Sequence, residues 1–403
     1  MKRTLFQLVA LLPFVGFVVY SYTQVDPNLV ISSFPPYWNF QQQLWQIGYH
    51  QRDLSSLLFA ILMVLMSVTV IGILHFFTEQ EKKSFLISVI LILIFSYNAL
   101  SHDIFNYLFN ARMVVMYQTN PHTHIALEFP SDDWTRFMHN THTPAPYGYG
   151  WTVLSLVPYA VGFGKFNPSY YAMKILMVGG FVLMWWVMEK LAKVAKLDGV
   201  KNFQKLKWLF FLNPLVLIET FSSGHNDVWM MGPALLSCVI ALKIQQKDSL
   251  RKKVGYVFIA IIVLAISASI KFATLILAPV LILLIITRLI KKLPAYLEHL
   301  ATWWPEISAV LLALPLLTDR SQQFHPWYLI WSLSFLPFIR LVWIRYMLIA
   351  FSFASLFRYL PYLYLGNYTA QELTQEKIIT WVGGALVFFI LILFRKRVSR
   401  VLE

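Results

Sequence analysis

Apolar side chains recur along this chain in runs of about 16–22 residues, separated by short polar or basic stretches. A helix needs about 20 predominantly apolar residues to cross the hydrocarbon core of a bilayer. The pattern therefore predicts about twelve membrane-spanning helices. They lie near 4–23, 54–77, 84–100, 170–189, 207–222, 228–243, 254–270, 272–287, 301–317, 327–339, 346–365 and 378–394.

The apolar segment 151–165 is shorter, and it contains one proline and two glycines. A crossing here would move the lysines between Lys190 and Lys207 to the side opposite the other basic clusters. We therefore interpret it as a re-entrant or interfacial helix, which surrounding protein or a water-filled cavity can shield from lipid. The fold class that follows is an all-α polytopic membrane protein, with 1–403 as a single membrane-embedded domain.

Composition and charge agree with this class. Hydrophobic residues make up 58% of the 403 positions and charged residues 13%, and the mean hydropathy is +0.61. The net charge of +14 does not indicate a nucleic-acid partner, because 24 of the 33 basic residues fall at the two termini and in alternate connections between spans. The positive-inside rule then predicts cytoplasmic termini, and we expect a plasma-membrane location. Cys238 lies within a span and has no second cysteine to pair with.

This orientation predicts that four polar segments share the extracytoplasmic side. They are the loop 101–150, the turn Gly224–Asp227, the region around Lys271, and the stretch from Asp319 and Arg320 to His325 and Tyr328. The loop 101–150 is too long for a simple connection, since most loops in compact domains have about 4–6 residues. The clustering predicts a site that faces away from the cytoplasm.

The start of this loop carries the most informative pattern. Asp103, Asn106, Tyr107 and Asn110 are spaced so that a helix would place them on one face. A carboxylate where a helix leaves the membrane is a functional-site hypothesis by default. The alternative is an aspartate that caps the helix, and the spacing by itself leaves both interpretations open.

The same loop holds Arg112 and five histidines, a composition that could bind a metal ion. The pairs His122/His124 and His139/His142 match no tight zinc spacing. We therefore interpret the histidines as solvated loop residues. We predict no metal ligands and no required cofactor; a divalent ion is compatible with the sequence but is not indicated by it.

Several polar residues nearer the C-terminus each have two interpretations. The turn Gly224–Asp227 is either ordinary turn chemistry or part of a water-filled site. Lys271 either extends to the membrane interface or meets a phosphate head group. Arg358 lies inside a span, where it needs a partner, either Glu219 or a ligand phosphate. The fourth group consists of Trp327, Tyr328 and Trp331. These side chains either belong to an aromatic belt at the membrane interface or stack on sugar rings.

At these residues the chain resembles the GT-C fold glycosyltransferases, and within them the polyprenyl-phosphate-mannose-dependent α-1,6-mannosyltransferases. The resemblance covers roughly residues 85–340. The motifs that carry it are Ser101-His102-Asp103 with Tyr107, Asn120-Pro121, Pro146-Tyr147-Gly148, Asn213-Pro214-Leu215-Val216, Gly224-His225-Asn226-Asp227, Lys271, and Pro326-Trp327-Tyr328 with Trp331.

The resemblance implies transfer of a hexose, mannose in that family, from a polyprenyl-phosphate donor to a glycan or glycolipid hydroxyl, with inversion at the anomeric carbon. Asp103 is the expected general base, and Asp26 after the first span is the alternative. The expected substrate-binding residues are His102, Tyr107, Arg112, Tyr147, His225, Asn226, Asp227, Lys271, Arg320, His325, Trp327, Tyr328 and Arg358.

Two other classes of function use some of the same residues. A transporter or flippase of lipid-linked sugars would bind the head group with aromatic and basic side chains but would need no base. A scaffold protein would need neither, and the polar loop 101–150 argues against it. Cleavage of the donor distinguishes the enzyme from the flippase.

Overall fold

The computed structural model of the chain describes residues 2–196, 203–317, 324–367 and 369–395, and within these ranges it contains helices and turns but no β-strand. In chain order, α1–α19 span Lys2–Ser21, Pro35–Trp45, Arg52–Phe76, Glu79–Ile94, Asp103–Val115, Tyr149–Val161, Phe166–Ala195, Phe203–Phe211, Pro214–Leu217, Asp227–Leu242, Leu250–Ile270, Ala278–Leu289, Ala295–Thr302, Trp304–Ala313, Leu329–Leu333, Val342–Leu356, Leu360–Leu365, Ala370–Ile378 and Gly384–Leu393.

Seven helical segments of the described chain are long and apolar enough to cross a membrane, and each overlaps a predicted crossing. Some include a short 3-10 or π-helical turn that continues an α-helix. The segments are Phe6–Gln24, Arg52–Phe76, Phe166–Ala195, Leu250–Ile270, Phe272–Leu289, Val342–Leu365 and Ala370–Leu393.

The other predicted crossings correspond to shorter helices. The 16-residue helices α4 and α10 are about 24 Å long at 1.5 Å per residue, less than the roughly 30 Å of a hydrocarbon core. The apolar segment Trp304–Leu316 is shorter still. The structure therefore does not confirm the count of twelve.

The predicted crossing over 327–339 is wrong. The α-helix in this region, α15, has five residues, and 3-10 turns lie before and after it. Pro326 is the first residue of one turn and Pro337 the second residue of the other, and proline has no amide hydrogen to continue a helix. The segment is buried among neighbouring helices, which satisfies its apolar composition without a crossing.

The predicted crossing over 207–222 is broken at its centre. Helix α8 ends before Asn213, whose side-chain oxygen accepts a hydrogen bond from the Leu215 amide and so caps α9. Pro214 occupies the first position of α9, where its missing N–H costs little. A π-helical turn, Ile218–Ser222, then leads into the segment 223–226, so the break delivers a polar turn into the protein interior.

Two short helices frame the long loop. Helix α5 begins at Asp103, packs against α6 and α7, and buries most of its apolar side chains, including Phe105 and Phe109. Helix α6 has 13 residues and ends at Val161, with Gly162 as its C-cap, in agreement with the short helix expected over 151–165. Its re-entrant or interfacial position remains a prediction.

Candidate functional site

Four segments bring the polar residues together. They are the first turn of α5, the residues before α6, the turn 223–226, and the junction after α11. Two glycines permit this approach. Gly224 has φ of +74°, a conformation that side chains disfavour. A Cβ at Gly148 would lie 2.0 Å from the Ser269 carbonyl oxygen, and the Gly148 amide donates to the Ile270 carbonyl, which places Tyr147 beside Lys271.

Asp103 is at the centre of this cluster. Its Oδ2 accepts hydrogen bonds from the Tyr147 hydroxyl and, at 3.4 Å, from the Tyr107 hydroxyl. The Nδ1 atom of His225 lies 3.3 Å from the same oxygen. His102 is the N-cap of α5, and the Asp103 carboxylate contacts the tyrosines rather than the helix amides, so the capping interpretation is wrong.

These contacts keep Asp103 ionised. Burial alone would raise the pKa of its carboxyl group, but contact with His225, the hydrogen bond from Tyr147 and the charge of Lys271 together lower that pKa to about 2. Burial and the neighbouring carboxylate raise the pKa of Tyr147 well above its ordinary value, so the phenol remains a donor. No described residue donates a hydrogen bond to the Oδ1 atom of Asp103.

His225 links two carboxylates. Its Nε2 atom lies 3.4 Å from Oε2 of Glu219, on the side opposite Asp103. The imidazole is fully buried, and neither contact is a hydrogen bond. The ring stacks on Trp327 at a centroid distance of 3.8 Å, and His325 also stacks on Trp327 at 4.3 Å.

Lys271 and Asp227 form a second charged pair in the cluster. Lys271 Nζ donates to Oδ1 of Asp227 at 2.8 Å, and the Trp331 indole donates to the same oxygen at 2.5 Å. The ammonium lies 5.4–5.5 Å from the ring centroids of Tyr147, Tyr328 and Trp331, within cation–π range. Lys271 is therefore held inside the protein rather than extended into the interface.

Several buried polar atoms in this cluster have no hydrogen-bond partner among the described residues. They are the side-chain oxygen and nitrogen of Asn226, Oδ2 of Asp227, Oε2 of Glu219 and both ring nitrogens of His225. Each unsatisfied buried polar group costs about 1–3 kcal/mol. Such a concentration in one place suits a site that binds a polar ligand.

Arg112 lies apart from this cluster. Its Nε atom donates to Oδ2 of Asp132 at 2.5 Å, its guanidinium stacks over Trp134 at 4.6 Å, and Tyr117 donates to the same carboxylate oxygen at 2.7 Å. The expected role of Arg112 in substrate binding is not supported by this position. The residue fastens the loop after α5 to α6 through Tyr159.

Of the two partners considered for Arg358, a carboxylate such as Glu219 or a ligand phosphate, the structure shows a carboxylate, but it is Glu376 and not Glu219. Arg358 is 2% exposed and its guanidinium lies 2.5 Å from Oε2 of Glu376, on the last candidate span. Glu219 instead accepts a hydrogen bond from the Tyr359 hydroxyl at 2.7 Å. A nearer carboxylate on α18 therefore takes the place that the sequence assigned to Glu219.

Three further residues that the sequence analysis assigned to substrate binding are His102, His325 and Arg320. His102 is half-buried and stacks on His139 at a centroid distance of 3.5 Å, so it is not a solvated loop histidine. Burial, and then the neighbouring His139, lower the pKa of His102 to about 3. Burial, and then the charge of Arg358, lower the pKa of His325 to about 3. Arg320 lies outside the described residues.

Lys174 was missed by the sequence analysis. It is fully buried in α7 and donates to the carbonyls of Ser96, Phe221 and Ser222 at 2.7–2.9 Å. These carbonyls belong to the end of α4 and to the π-helical turn before the segment 223–226. A lysine within an apolar run was the available signal. Its three bonds position the turn that carries His225.

These observations describe a helical membrane protein. In its interior, an ionised carboxylate, an imidazole and an ammonium group lie close together at the ends of helices. The chain belongs to the MptA_B family: the sequence pattern described as alpha-(1->6)-mannopyranosyltransferase, N-terminal domain, matches residues 14–287. The matched part includes Asp103, His225 and Lys271. Trp327 and Arg358 lie beyond it.

A curated relative agrees with this family. The chain is similar to alpha-(1->6)-mannopyranosyltransferase A of Mycobacterium tuberculosis (strain ATCC 25618 / H37Rv), with 28% identity over 108 residues. The similarity covers 27% of this chain and 20% of the length of the relative. No solved structure matches the chain.

Proposed function

We propose that this protein is a GT-C-type membrane glycosyltransferase that transfers a mannosyl group from a polyprenyl-phosphate donor to a glycan or glycolipid hydroxyl, forming an α-1,6 linkage. The observation that carries the proposal is the placement of Asp103, whose Oδ2 accepts hydrogen bonds from Tyr107 and Tyr147 while its Oδ1 accepts none from the described residues. Membership of the MptA_B family supports the sugar and the type of reaction.

In the proposed step, the oxygen of the acceptor hydroxyl attacks the anomeric carbon as the bond from that carbon to the phosphate oxygen breaks. Oδ1 of Asp103 takes the hydroxyl proton as the new bond forms. The configuration inverts, because the nucleophile and the leaving phosphate are on opposite faces of the sugar. Tyr107 and Tyr147 hold the other carboxylate oxygen and so fix the direction in which Oδ1 accepts the proton.

Lys271 is the proposed partner of the donor phosphate. Negative charge develops on the leaving phosphate, and a positioned cation lowers the energy of that transition state. Asp227 and three aromatic rings hold the ammonium group in place. An indole of Trp327, stacked between His225 and His325, offers an apolar edge beside the proposed sugar position.

The polyprenyl chain implies a site reached from the lipid. The alternating distribution of basic residues supports cytoplasmic termini and an extracytoplasmic site in the plasma membrane. In this orientation the donor enters sideways from the outer leaflet, and the acceptor glycan reaches Asp103 from the loop 101–150.

The experiment is a transfer assay on the purified protein in nanodiscs, with radiolabelled polyprenyl-phosphate mannose and a mannoside acceptor. We expect label in the elongated acceptor and stoichiometric release of polyprenyl phosphate. In proteoliposomes, movement of intact donor between leaflets without cleavage would instead identify a flippase. Use of a nucleotide sugar in place of the lipid donor would contradict the proposed donor class.

A further inference from the structure

Three side chains from separate parts of the chain meet beside the first turn of α5. Asp26 follows the first candidate span, His102 is the N-cap of α5, and His139 lies in the long loop. One ligand atom from each, a carboxylate oxygen or a ring nitrogen, lies within 4.8 Å of the other two. More than 100 residues of sequence separate Asp26 from His139, so sequence spacing could not reveal this group.

The local contacts orient these side chains. Oδ1 of Asp26 accepts hydrogen bonds from the backbone and side-chain nitrogens of Asn28 at 2.8 and 3.0 Å. Its Oδ2 lies 4.0 Å from Nε2 of His139. The two imidazole rings stack with an interplanar angle of 21°. Among the described residues, none forms a hydrogen bond with the ring nitrogens of His102 or His139.

The donor types suit a metal site, and the distances come close to one. With bonds to zinc of about 2.0–2.2 Å, two ligand atoms on a tetrahedral ion are about 3.3–3.6 Å apart. The Asp26–His139 atoms are 4.0 Å apart and the other pairs lie within 4.8 Å, so these distances need to shorten by about 0.5–1.5 Å. Two imidazoles with one carboxylate suit zinc and similar transition metals better than calcium or magnesium, which prefer oxygen ligands.

We propose that Asp26, His102 and His139 bind one divalent transition-metal ion of the zinc type. With three protein ligands, the ion keeps at least one coordination position for water or for a substrate oxygen. It connects the segment after α1, the start of α5 and the long loop. Because His102 directly precedes Asp103 in the chain, the ion fixes the backbone that carries the proposed base, and the three ligands are positioning residues.

The test measures metal binding by the full chain. The protein is purified with a tag that contains no histidine, treated with EDTA and exchanged into metal-free detergent buffer. Zinc is titrated calorimetrically, and cobalt is added as a spectroscopic probe of imidazole coordination. We expect one saturable zinc site per chain, with visible cobalt absorption bands of a nitrogen- and oxygen-coordinated ion. His102→Ala, His139→Ala and Asp26→Asn should each weaken zinc binding at least 10-fold, the lower end of the range for disturbed metal sites.

His124→Ala is the matched control, since His124 is another loop histidine but pairs with Glu128 on the surface. It should leave zinc affinity unchanged. Absence of a saturable zinc site in the folded wild-type chain would overturn the proposal, as would equal affinities in all variants. Neither readout depends on glycosyl transfer, so failure of the metal site and failure of the proposed function are distinguishable.

Discussion

Two polar clusters, one near each end of α5, differ in how completely their hydrogen-bonding atoms are satisfied. Around Arg112 and Asp132, the guanidinium and the Tyr117 hydroxyl both donate hydrogen bonds to the carboxylate. Around His225 and Asp227, buried nitrogens and oxygens have no hydrogen-bond partner among the described residues. Both clusters contain ionised groups in protected surroundings, but only the first is complete without a ligand.

This difference in hydrogen bonding distinguishes polar residues that stabilise the fold from polar residues that bind a ligand. A buried charge that has all its partners can stabilise a loop, whereas unsatisfied atoms cost free energy and persist where a ligand completes them. By this criterion we assign Arg112 to the scaffold, and Asp103, His225 and Lys271 to the proposed site. The Arg358–Glu376 pair is intermediate, since the two charges are in contact but the guanidinium nitrogens do not meet hydrogen-bond geometry.

The largest expected effect is on folding. Replacing Arg358 with Gln leaves Glu376 without its counterion, and breaking a buried pair costs about 3–5 kcal/mol. We expect a severe loss of monodisperse protein and a lower melting temperature in detergent. Adding Glu376→Gln should restore both. Arg251→Gln, a change at an exposed position, is the control. An Arg358→Gln variant that folds normally but no longer uses the donor would instead indicate that Arg358 binds the phosphate.

Lys271→Gln should act on catalysis. Loss of one group that stabilises transition-state charge costs about 2–4 kcal/mol, which corresponds to a decrease of about 30- to 1,000-fold in kcat/KM for the lipid donor. Lys271→Arg should recover part of this loss because it keeps the charge. Lys165→Gln, at an exposed position, should have wild-type kinetics. Unchanged kcat/KM in a folded Lys271→Gln variant would remove Lys271 from the site.

Arg112→Gln should have a smaller effect, and on stability alone. Hydrogen bonds to charged groups contribute about 1.5–3 kcal/mol, so we expect a lower melting temperature with kcat/KM per folded molecule within about threefold of wild type. The Arg136–Asp133 pair is exposed, and Arg136→Gln should leave the melting temperature unchanged. A stable Arg112→Gln variant with impaired donor use would return Arg112 to the substrate-binding residues.

The sequence predicted those features that depend on local pattern. The seven long apolar helices follow from run length, and a helix through Asp103 and Asn110 follows from the spacing of its polar residues. Glu376 could not be identified as the partner of Arg358, because that choice depends on how α18 packs beside Arg358. The breaks at Asn213–Pro214 and around Pro337 were visible as prolines, but hydropathy alone treated these segments as continuous spans.

The arrangement of the site likewise depends on tertiary packing, which the local sequence pattern does not indicate. Tyr147, His225 and Lys271 were recognised as short motifs, but their convergence on Asp103 depends on close backbone approaches such as that of Gly148 to Ser269. Lys174 was overlooked because a single lysine in an apolar run gives no indication of the three carbonyls it binds.

The most direct test of the account compares Asp103→Asn with Asp132→Asn in the same nanodisc preparation. Both changes keep the side-chain size and remove a carboxylate, one in the unsatisfied cluster and one in the complete cluster. We expect Asp103→Asn to fold and to bind polyprenyl-phosphate mannose with wild-type affinity, while transfer falls by about 10²- to 10⁴-fold through loss of the base. Asp132→Asn should lower the melting temperature and leave turnover per folded molecule nearly unchanged. Near-normal transfer by Asp103→Asn, with transfer abolished in a folded Asp132→Asn protein, would contradict the assignment of these two clusters.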